Sequence, residues 1–300
     1  MYPAPGNQSG GLLSTAMRER IERVVLIIAI ASFLIHLLLI GLVQIGVVKL
    51  DSTIHLLNNP ISALYTPFSF ILVYEVYLLI FYLPKSLSTY INKQYEIILL
   101  IIMRRLFKDL ANLEITSDWF TLKYDLQFTY DLITTLILFF LIYLFSSLCR
   151  RRTPAVAAIH HTQDGTMTYG RIKNLIATAL VPLVFVLATV SLVHWLTDVF
   201  SGPTSATSTF HGVNRVFFEE FFTLLVIVDV LLLLVSFFYT DYFHVIIRNS
   251  GFIISTILIR LSFNVEGLLN NVLVISAVLF GLIIQVIYNK YEDRIALTGE

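Results

Sequence analysis

The stretch FTLLVIVDVLLLLVSFFY, residues 222–239, holds one carboxylate, Asp229, in a run with no other charged residue. A helix needs roughly 20 consecutive apolar residues to cross a bilayer, so this stretch predicts a transmembrane helix with a buried charge. A charge at that depth costs on the order of 2.5–3.5 kcal/mol. The stretch FSFILVYEVYLLIFY, residues 68–82, carries Glu75 in the same way, 154 residues earlier. Two buried carboxylates at matching places in two apolar helices, each with this energetic cost, indicate a duplicated architecture.

Basic residues extend this pattern. Lys93 and Arg248 follow the two carboxylates and are 155 residues apart, and Arg105 and Arg260 are also 155 residues apart. Because the three charges recur in the same order, the sequence predicts two parallel repeats of four helices each. An even number of spans gives both halves the same orientation, unlike the inverted repeats of many secondary transporters.

The composition places the chain in a membrane. Hydrophobic residues make up 57% of it and charged residues 13%, and the mean hydropathy is +0.82. Soluble domains carry about 25% charged residues. The predicted fold is therefore an all-α, polytopic transmembrane bundle whose main partner is the lipid bilayer. The net charge of zero argues against a nucleic-acid partner, and the single cysteine, Cys149, excludes an intrachain disulfide framework.

Eight segments are predicted to span. Six are long and apolar: about 24–48, 61–83, 128–148, 175–200, 217–239 and 268–288. Two shorter ones, about 91–109 and 245–264, contain basic residues, and hydropathy alone leaves them between spanning and interfacial positions. Each is third in its set of four, so the repeated charges favour eight spans over six.

The distribution of basic residues predicts the orientation and the domain boundaries. With eight spans and the N-terminus inside, 13 of the 20 basic residues lie on the cytoplasmic side. We therefore expect a multi-pass protein of the plasma or inner membrane with both termini cytoplasmic. The predicted order is a disordered tail, a four-helix unit, a cytoplasmic linker, a second four-helix unit and a tail, over residues 1–20, 21–149, 150–172, 173–290 and 291–300.

Depth along the helices predicts which charges meet. At 1.5 Å per residue, Asp229 lies about 12 Å from the inner surface and closer to Arg248 than to Arg260. By the same comparison Glu75 is expected to meet Lys93. Arg260 is expected near the outer surface, where two adjacent carboxylates, Glu219 and Glu220, are its candidate partners. For Arg105 the candidates lie in the acidic outer segment 109–131, namely Asp109, Glu114, Asp118, Asp125 and Asp131.

Two interpretations of these charges remain open. In the first, buried ion pairs hold neighbouring helices in register. In the second, they line a polar path for protons, ions or a small anion. A homo-oligomer is compatible with either. The sequence has no motif typical of an enzyme and no sign of a cofactor. The pair His160–His161 lacks a third ligand at a useful spacing, so no metal site is predicted.

With this pattern in view, the segment Val226–Arg294 resembles the bacterial phosphate-starvation-inducible E family of four-span membrane proteins. It has an acidic residue in an apolar helix (Asp229), an aromatic inner turn, the run from Arg248 to Arg260 and a final apolar helix with a charged tail. The first half repeats it with Glu75, Lys93, Met-Arg-Arg-Leu around Arg105, and Arg150-Arg151-Arg152. The resemblance implies the fold, a membrane location and a link to phosphate stress. Family members are typically one four-span unit, whereas this chain resembles two fused units. The resemblance implies no phosphate-binding residue, and the family's molecular activity is not established.

Overall fold

The computed structural model describes most of the apolar chain. The described residues are 13–45, 63, 65–110, 123–150, 169–184, 186–187, 190, 206–239, 242–265 and 267–298. The stretches 46–62, 111–122, 151–168 and 191–205 lie outside the described residues, and the His160–His161 pair belongs to one of these stretches.

Within this part of the chain the secondary structure is helical. The helices are α1 (Thr15–Gln44), α2 (Tyr65–Tyr82), α3 (Leu87–Leu110), α4 (Lys123–Arg150), α5 (residues 169–184), α6 (Ala206–Tyr239), α7 (Phe243–Ser262) and α8 (Leu268–Thr298). Five are long and apolar enough to cross a membrane: α1, α4, α6 from Glu220, α7 and α8. The prediction of an all-α protein with membrane-spanning helices is thus confirmed.

The distribution of polarity is that of a protein in lipid. Large apolar side chains point outward along the spans, for example Ile27 at 66% exposure and Phe139 at 65%. Buried positions instead hold polar side chains, among them Asp131, Asp229 and Asn271, each at 1% exposure or less. A water-soluble protein rarely exposes apolar surface on this scale. The apolar surface of the bundle therefore suits contact with lipid.

Four helices, α3, α4, α7 and α8, form the centre of the bundle. Direct contacts join α3 to α4, α7 to α8, α4 to α8 and α3 to α7, while α2 packs on α3, α6 on α7 and α1 on α2. A row of three rings crosses this centre, with Tyr95 and Phe145 centroids 5.0 Å apart and Phe145 and Phe252 centroids 5.6 Å apart. These edge-to-face contacts add to the apolar burial that joins the first four helices to the last three.

The helix ends differ from the predicted boundaries. The predicted disordered tail 1–20 is in fact helical from Thr15, because Ser14 accepts a hydrogen bond from the Met17 amide and caps α1. Residues 291–298 of the predicted tail are also helical, since α8 continues to Thr298. Likewise α6 begins at Ala206, before the predicted start near 217. Hydropathy marks the part of a helix that lies in lipid, and helices extend past it into water.

Short turns make the consecutive helices antiparallel neighbours. Ser86 caps α3 by accepting from the Thr89 amide. Between α7 and α8 the chain reverses over five residues, and Gly267 there takes a left-handed conformation with φ of 74°. A side chain is disfavoured in that conformation, so glycine suits the turn.

A close approach of α3 to α8 depends on Gly281. The Tyr95 hydroxyl shares a hydrogen bond of 2.7 Å with Ser255 of α7, whose own hydroxyl donates to the Ala277 carbonyl. A Cβ atom at Gly281 would lie 1.9 Å from the Tyr95 hydroxyl oxygen. The bare backbone of Gly281 therefore makes room for the hydroxyl that links three helices.

We expect Gly281→Ala to destabilise the bundle by about 1–3 kcal/mol, the usual cost of overpacking. The measurement is the thermal stability of the purified protein in detergent, followed by size-exclusion chromatography after heating. Gly41→Ala is the matched control, because nothing lies within 4 Å of a Cβ there, and it should leave the stability unchanged or slightly higher.

Tyr95→Phe tests whether contact with the Tyr95 hydroxyl causes the loss of stability in Gly281→Ala. Removing the hydroxyl relieves most of the clash, so the double variant Tyr95→Phe/Gly281→Ala should lose less stability than the two single losses combined. Strict additivity would contradict the proposed contact.

Candidate functional site

Asp229 lies at the centre of a polar cluster between the two halves of the chain. Its side chain is 1% exposed. The Tyr90 hydroxyl donates to Oδ1 at 2.9 Å and the Gln94 amide donates to Oδ2 at 3.1 Å. Both donors belong to α3 and are themselves buried. A carboxylate of the second half is thus held by side chains of the first half.

The structure gives Asp229 partners other than the predicted Arg248, and helix geometry explains why. Asp229 is ten residues from the C-terminal end of α6, whereas Arg248 is only five residues from the N-terminal end of α7. At 1.5 Å per residue, Arg248 lies about 7 Å nearer to these helix ends than Asp229 does. Its guanidinium packs over the Tyr288 ring at 4.2 Å and donates to Asn249. Thr256, deeper in α7, lies beside the Asp229 carboxylate instead.

A small cavity adjoins Asp229. Its volume is about 20 Å³, which is enough for a water molecule. Residues of α2, α3, α6 and α7 line it, and most are apolar. The polar lining consists of Asp229, Gln94, Thr256 and Arg260.

Lys173, a residue of α5, is the counter-charge that sequence reasoning missed. It is 5% exposed and interacts electrostatically with Asp229. Its ammonium group donates to the Lys85 carbonyl at 3.1 Å and lies 4.7 Å from the centroid of the Tyr169 ring. The sequence analysis counted Lys173 only as an inner basic residue. The available signal was its spacing of 155 residues from Arg18, the same offset as the other repeated charges.

A second polar cluster surrounds Arg105. Two of its nitrogens bind both oxygens of Asp131, at 2.6 and 2.9 Å, so this pair is bidentate. Arg105 also donates to Asn270 at 3.0 Å and to Asn271 at 2.6 Å. Asp131 accepts further bonds from Asn271 and Gln127. The predicted outer segment 109–131 thus contains the partner of Arg105, and the cluster joins α3, α4 and α8.

The remaining predicted charges lie apart from both clusters. Lys93 forms an ion pair with Glu96 on its own helix and packs over the Tyr82 ring. Glu75, 5% exposed, interacts electrostatically with Arg104. The structure thus gives Lys93 and Glu75 partners other than each other, because Lys93 turns toward the half-exposed side of α3.

At the outer end of α7, Arg260 donates to the Thr223 hydroxyl at 3.0 Å and to Asn264 at 3.4 Å. Glu220 is exposed, and the side chain of Glu219 lies outside the described ones. The predicted pairing of Arg260 with these carboxylates stays a prediction.

A further polar contact joins α7 to α8. His244, at the start of α7, makes a 2.9 Å contact with Glu292 of α8, and its ring stacks on Tyr291 at 5.1 Å. Among the described residues, no group of three or more histidine, cysteine or acidic side chains is placed to hold a metal ion.

Comparison with known protein families, with curated proteins and with solved structures found no match to this chain. The resemblance to the phosphate-starvation-inducible E family therefore stays a prediction. Function has to be argued from the two clusters themselves.

We expect Asp131→Asn to destabilise the protein by about 1.5–3 kcal/mol, the range for hydrogen bonds to charged groups, because the partly exposed Arg105 would lose its buried anion. Adding Arg105→Gln should recover part of that loss, since amides at both places can bond to each other and to the asparagines. Thermal stability in detergent measures both.

The matched control is Glu96→Gln, which breaks the half-exposed pair with Lys93. Its cost should stay below about 1 kcal/mol. Equal losses from Asp131→Asn and Glu96→Gln would contradict a special role for the Arg105 cluster.

Proposed function

We propose that this chain is an eight-span integral membrane protein built from two tandem four-helix units, and that its buried ion pairs mainly serve stability. The observation that carries the proposal is the Arg105 cluster. It satisfies one cation and one carboxylate with three amide side chains, at the junction of α3, α4 and α8. Polar groups in lipid gain stability when they bond across helices in this way.

Helix positions support the duplication. Helix α7 begins 156 residues after α3, and this offset matches those of the repeated charges. Contacts between the halves also join helices of the same rank, α3 with α7 and α4 with α8. Two equivalent units related by a pseudo-two-fold axis would make that kind of contact.

The physiological role we propose follows the family resemblance. A membrane protein of the phosphate-starvation-inducible kind, without enzymatic activity, would sit in the plasma or inner membrane with both termini in the cytoplasm. Its supporting features are the acidic residue in the second helix of each half and the basic run of the third. No residue here is proposed to bind phosphate.

A second candidate function, a polar path for an ion or small solute, rests on a separate observation. The cavity beside Asp229 lies between α2 and α3 of one half and α6 and α7 of the other. Intramembrane carboxylates beside polar cavities are typical of ion and proton pathways. A purely structural carboxylate needs no cavity beside it.

The topology is tested by labelling single cysteines in intact cells, after Cys149→Ser removes the native thiol. The variants Asp118→Cys and Asn264→Cys should react with a membrane-impermeant reagent from outside, because the eight-span arrangement places both in outer loops. Lys85→Cys, in the inner turn between α2 and α3, is the control and should react only after permeabilisation. Protection of either outer position would overturn the eight-span proposal.

A further inference from the structure

We infer that Asp229 is a proton-carrying site, reached through the cavity beside it, in a polar seam between the two halves of the chain. This inference specifies the proton as the ion carried in the second candidate function, and it rests on the proposed eight-span arrangement.

The cavity brings water within reach of the carboxylate. Its volume of about 20 Å³ admits a water molecule. A proton carried on water is therefore the smallest ligand that the cavity can bring to Asp229.

The hydrogen bonds argue against a bare metal ion. Both oxygens of Asp229 accept bonds, from the Tyr90 hydroxyl and from the Gln94 amide. Hard cations take six or more oxygen ligands, whereas the polar lining here is Asp229, Gln94, Thr256 and the cationic Arg260. The Tyr90 and Gln94 donors stabilise the ionised carboxylate, and a proton can add to a remaining lone pair without displacing them.

The charged and titratable groups around Asp229 come from each neighbouring helix. They are Tyr90 on α3, Lys173 on α5 and, lining the cavity, Arg260 on α7, beside the neutral Gln94 and Thr256, while α2 presents the apolar Leu79. Positive charge thus stands on both sides of a single carboxylate. Protonation of Asp229 removes the anion that Lys173 faces, so the charge of Asp229 and the position of Lys173 are coupled.

Polar groups continue from the cluster toward both surfaces. On the inner side, Lys173 donates to the carbonyl of Lys85, in the exposed turn before α3. On the outer side, Arg260 lines the cavity and donates to the exposed Thr223. A proton entering by the cavity would bind an Asp229 oxygen, forming an O–H bond as one in hydronium breaks. Release toward the inner turn reverses that step, and no electrons are exchanged.

Among the described residues, Glu75 of the first half lacks an equivalent pair of donors. Positions 155 residues after Tyr90 and Gln94 are Val245 and Asn249. Valine cannot donate a hydrogen bond, and Asn249 accepts from Arg248. Glu75 therefore has no such pair of donors at the matching places and serves as a natural comparison for Asp229.

The test uses the full-length protein in liposomes that contain a pH-sensitive dye. A potassium diffusion potential, negative inside, should drive acidification faster than in protein-free vesicles. Asp229→Asn should lose this flux, because an amide cannot carry the proton, and Asp229→Glu should retain part of it. Glu75→Gln is the matched control, a buried carboxylate in the other half, and should keep the wild-type rate.

Each other outcome overturns a specific claim. Wild-type flux in Asp229→Asn, or equal losses in Glu75→Gln and Asp229→Asn, would refute the proton site. Potassium or chloride flux without proton flux would refute the claim that Asp229 carries protons, and it would still support a polar path for ions. Absence of any flux would refute both, and the cysteine labelling would still report separately on the eight-span arrangement.

A second readout covers a failure of Asp229→Asn to fold. Infrared difference spectra of the wild-type protein in lipid should show the carbonyl stretch of a protonated carboxyl group as the pH falls. That band should persist in Glu75→Gln and shift in Asp229→Glu. A spectrum without such a band, or a band that Glu75→Gln removes, would contradict the inference.

Discussion

Every polar side chain inside this bundle has to find its partner within the protein, because lipid offers none. The Arg105–Asp131 pair meets this constraint with both carboxylate oxygens and the surrounding amides engaged. Its members come from α3, α4 and α8, so the hydrogen bonds that satisfy these charges also join the two halves of the chain. The positions of the remaining helices follow, since α2 packs on α3 and α6 packs on α7.

The Asp229 cluster solves the same problem with neutral donors and a more distant cation. Tyr90 and Gln94 satisfy the carboxylate directly, and Lys173 contributes charge from α5. An ion pair in direct contact fixes both partners, whereas hydroxyl and amide donors tolerate a change in the charge of their acceptor. The two clusters are therefore suited to different tasks, one to holding helices and the other to a group whose protonation can vary.

Hydropathy and the repeated charges predicted the helical membrane fold and the outer segment that holds Asp131. They did not predict the partners of Asp229, because depth along one antiparallel pair says nothing about a third helix. Tyr90 and Gln94 come from α3, and more than ninety residues separate the end of α3 from the start of α6. Lys173 was missed for a related reason: basic residues near helix ends usually mark orientation. Boundaries such as Thr15 and Thr298 depend on capping and on amphipathic turns in water, which hydropathy does not record.

The turn of Arg260 toward Thr223 has a consequence for how such a chain can arise. If two identical units assembled about a two-fold axis, the matching arginines would both approach the seam where α4 meets α8, and like charges would repel each other there. In this single polypeptide, the residues at matching places differ. Arg105 occupies the seam whereas Arg260 bonds to Thr223, and Asn271 donates to the Asp131 carboxylate on the opposite helix. One chain can therefore form an asymmetric junction, with a single Arg–Asp pair, that a symmetric dimer of identical units cannot form.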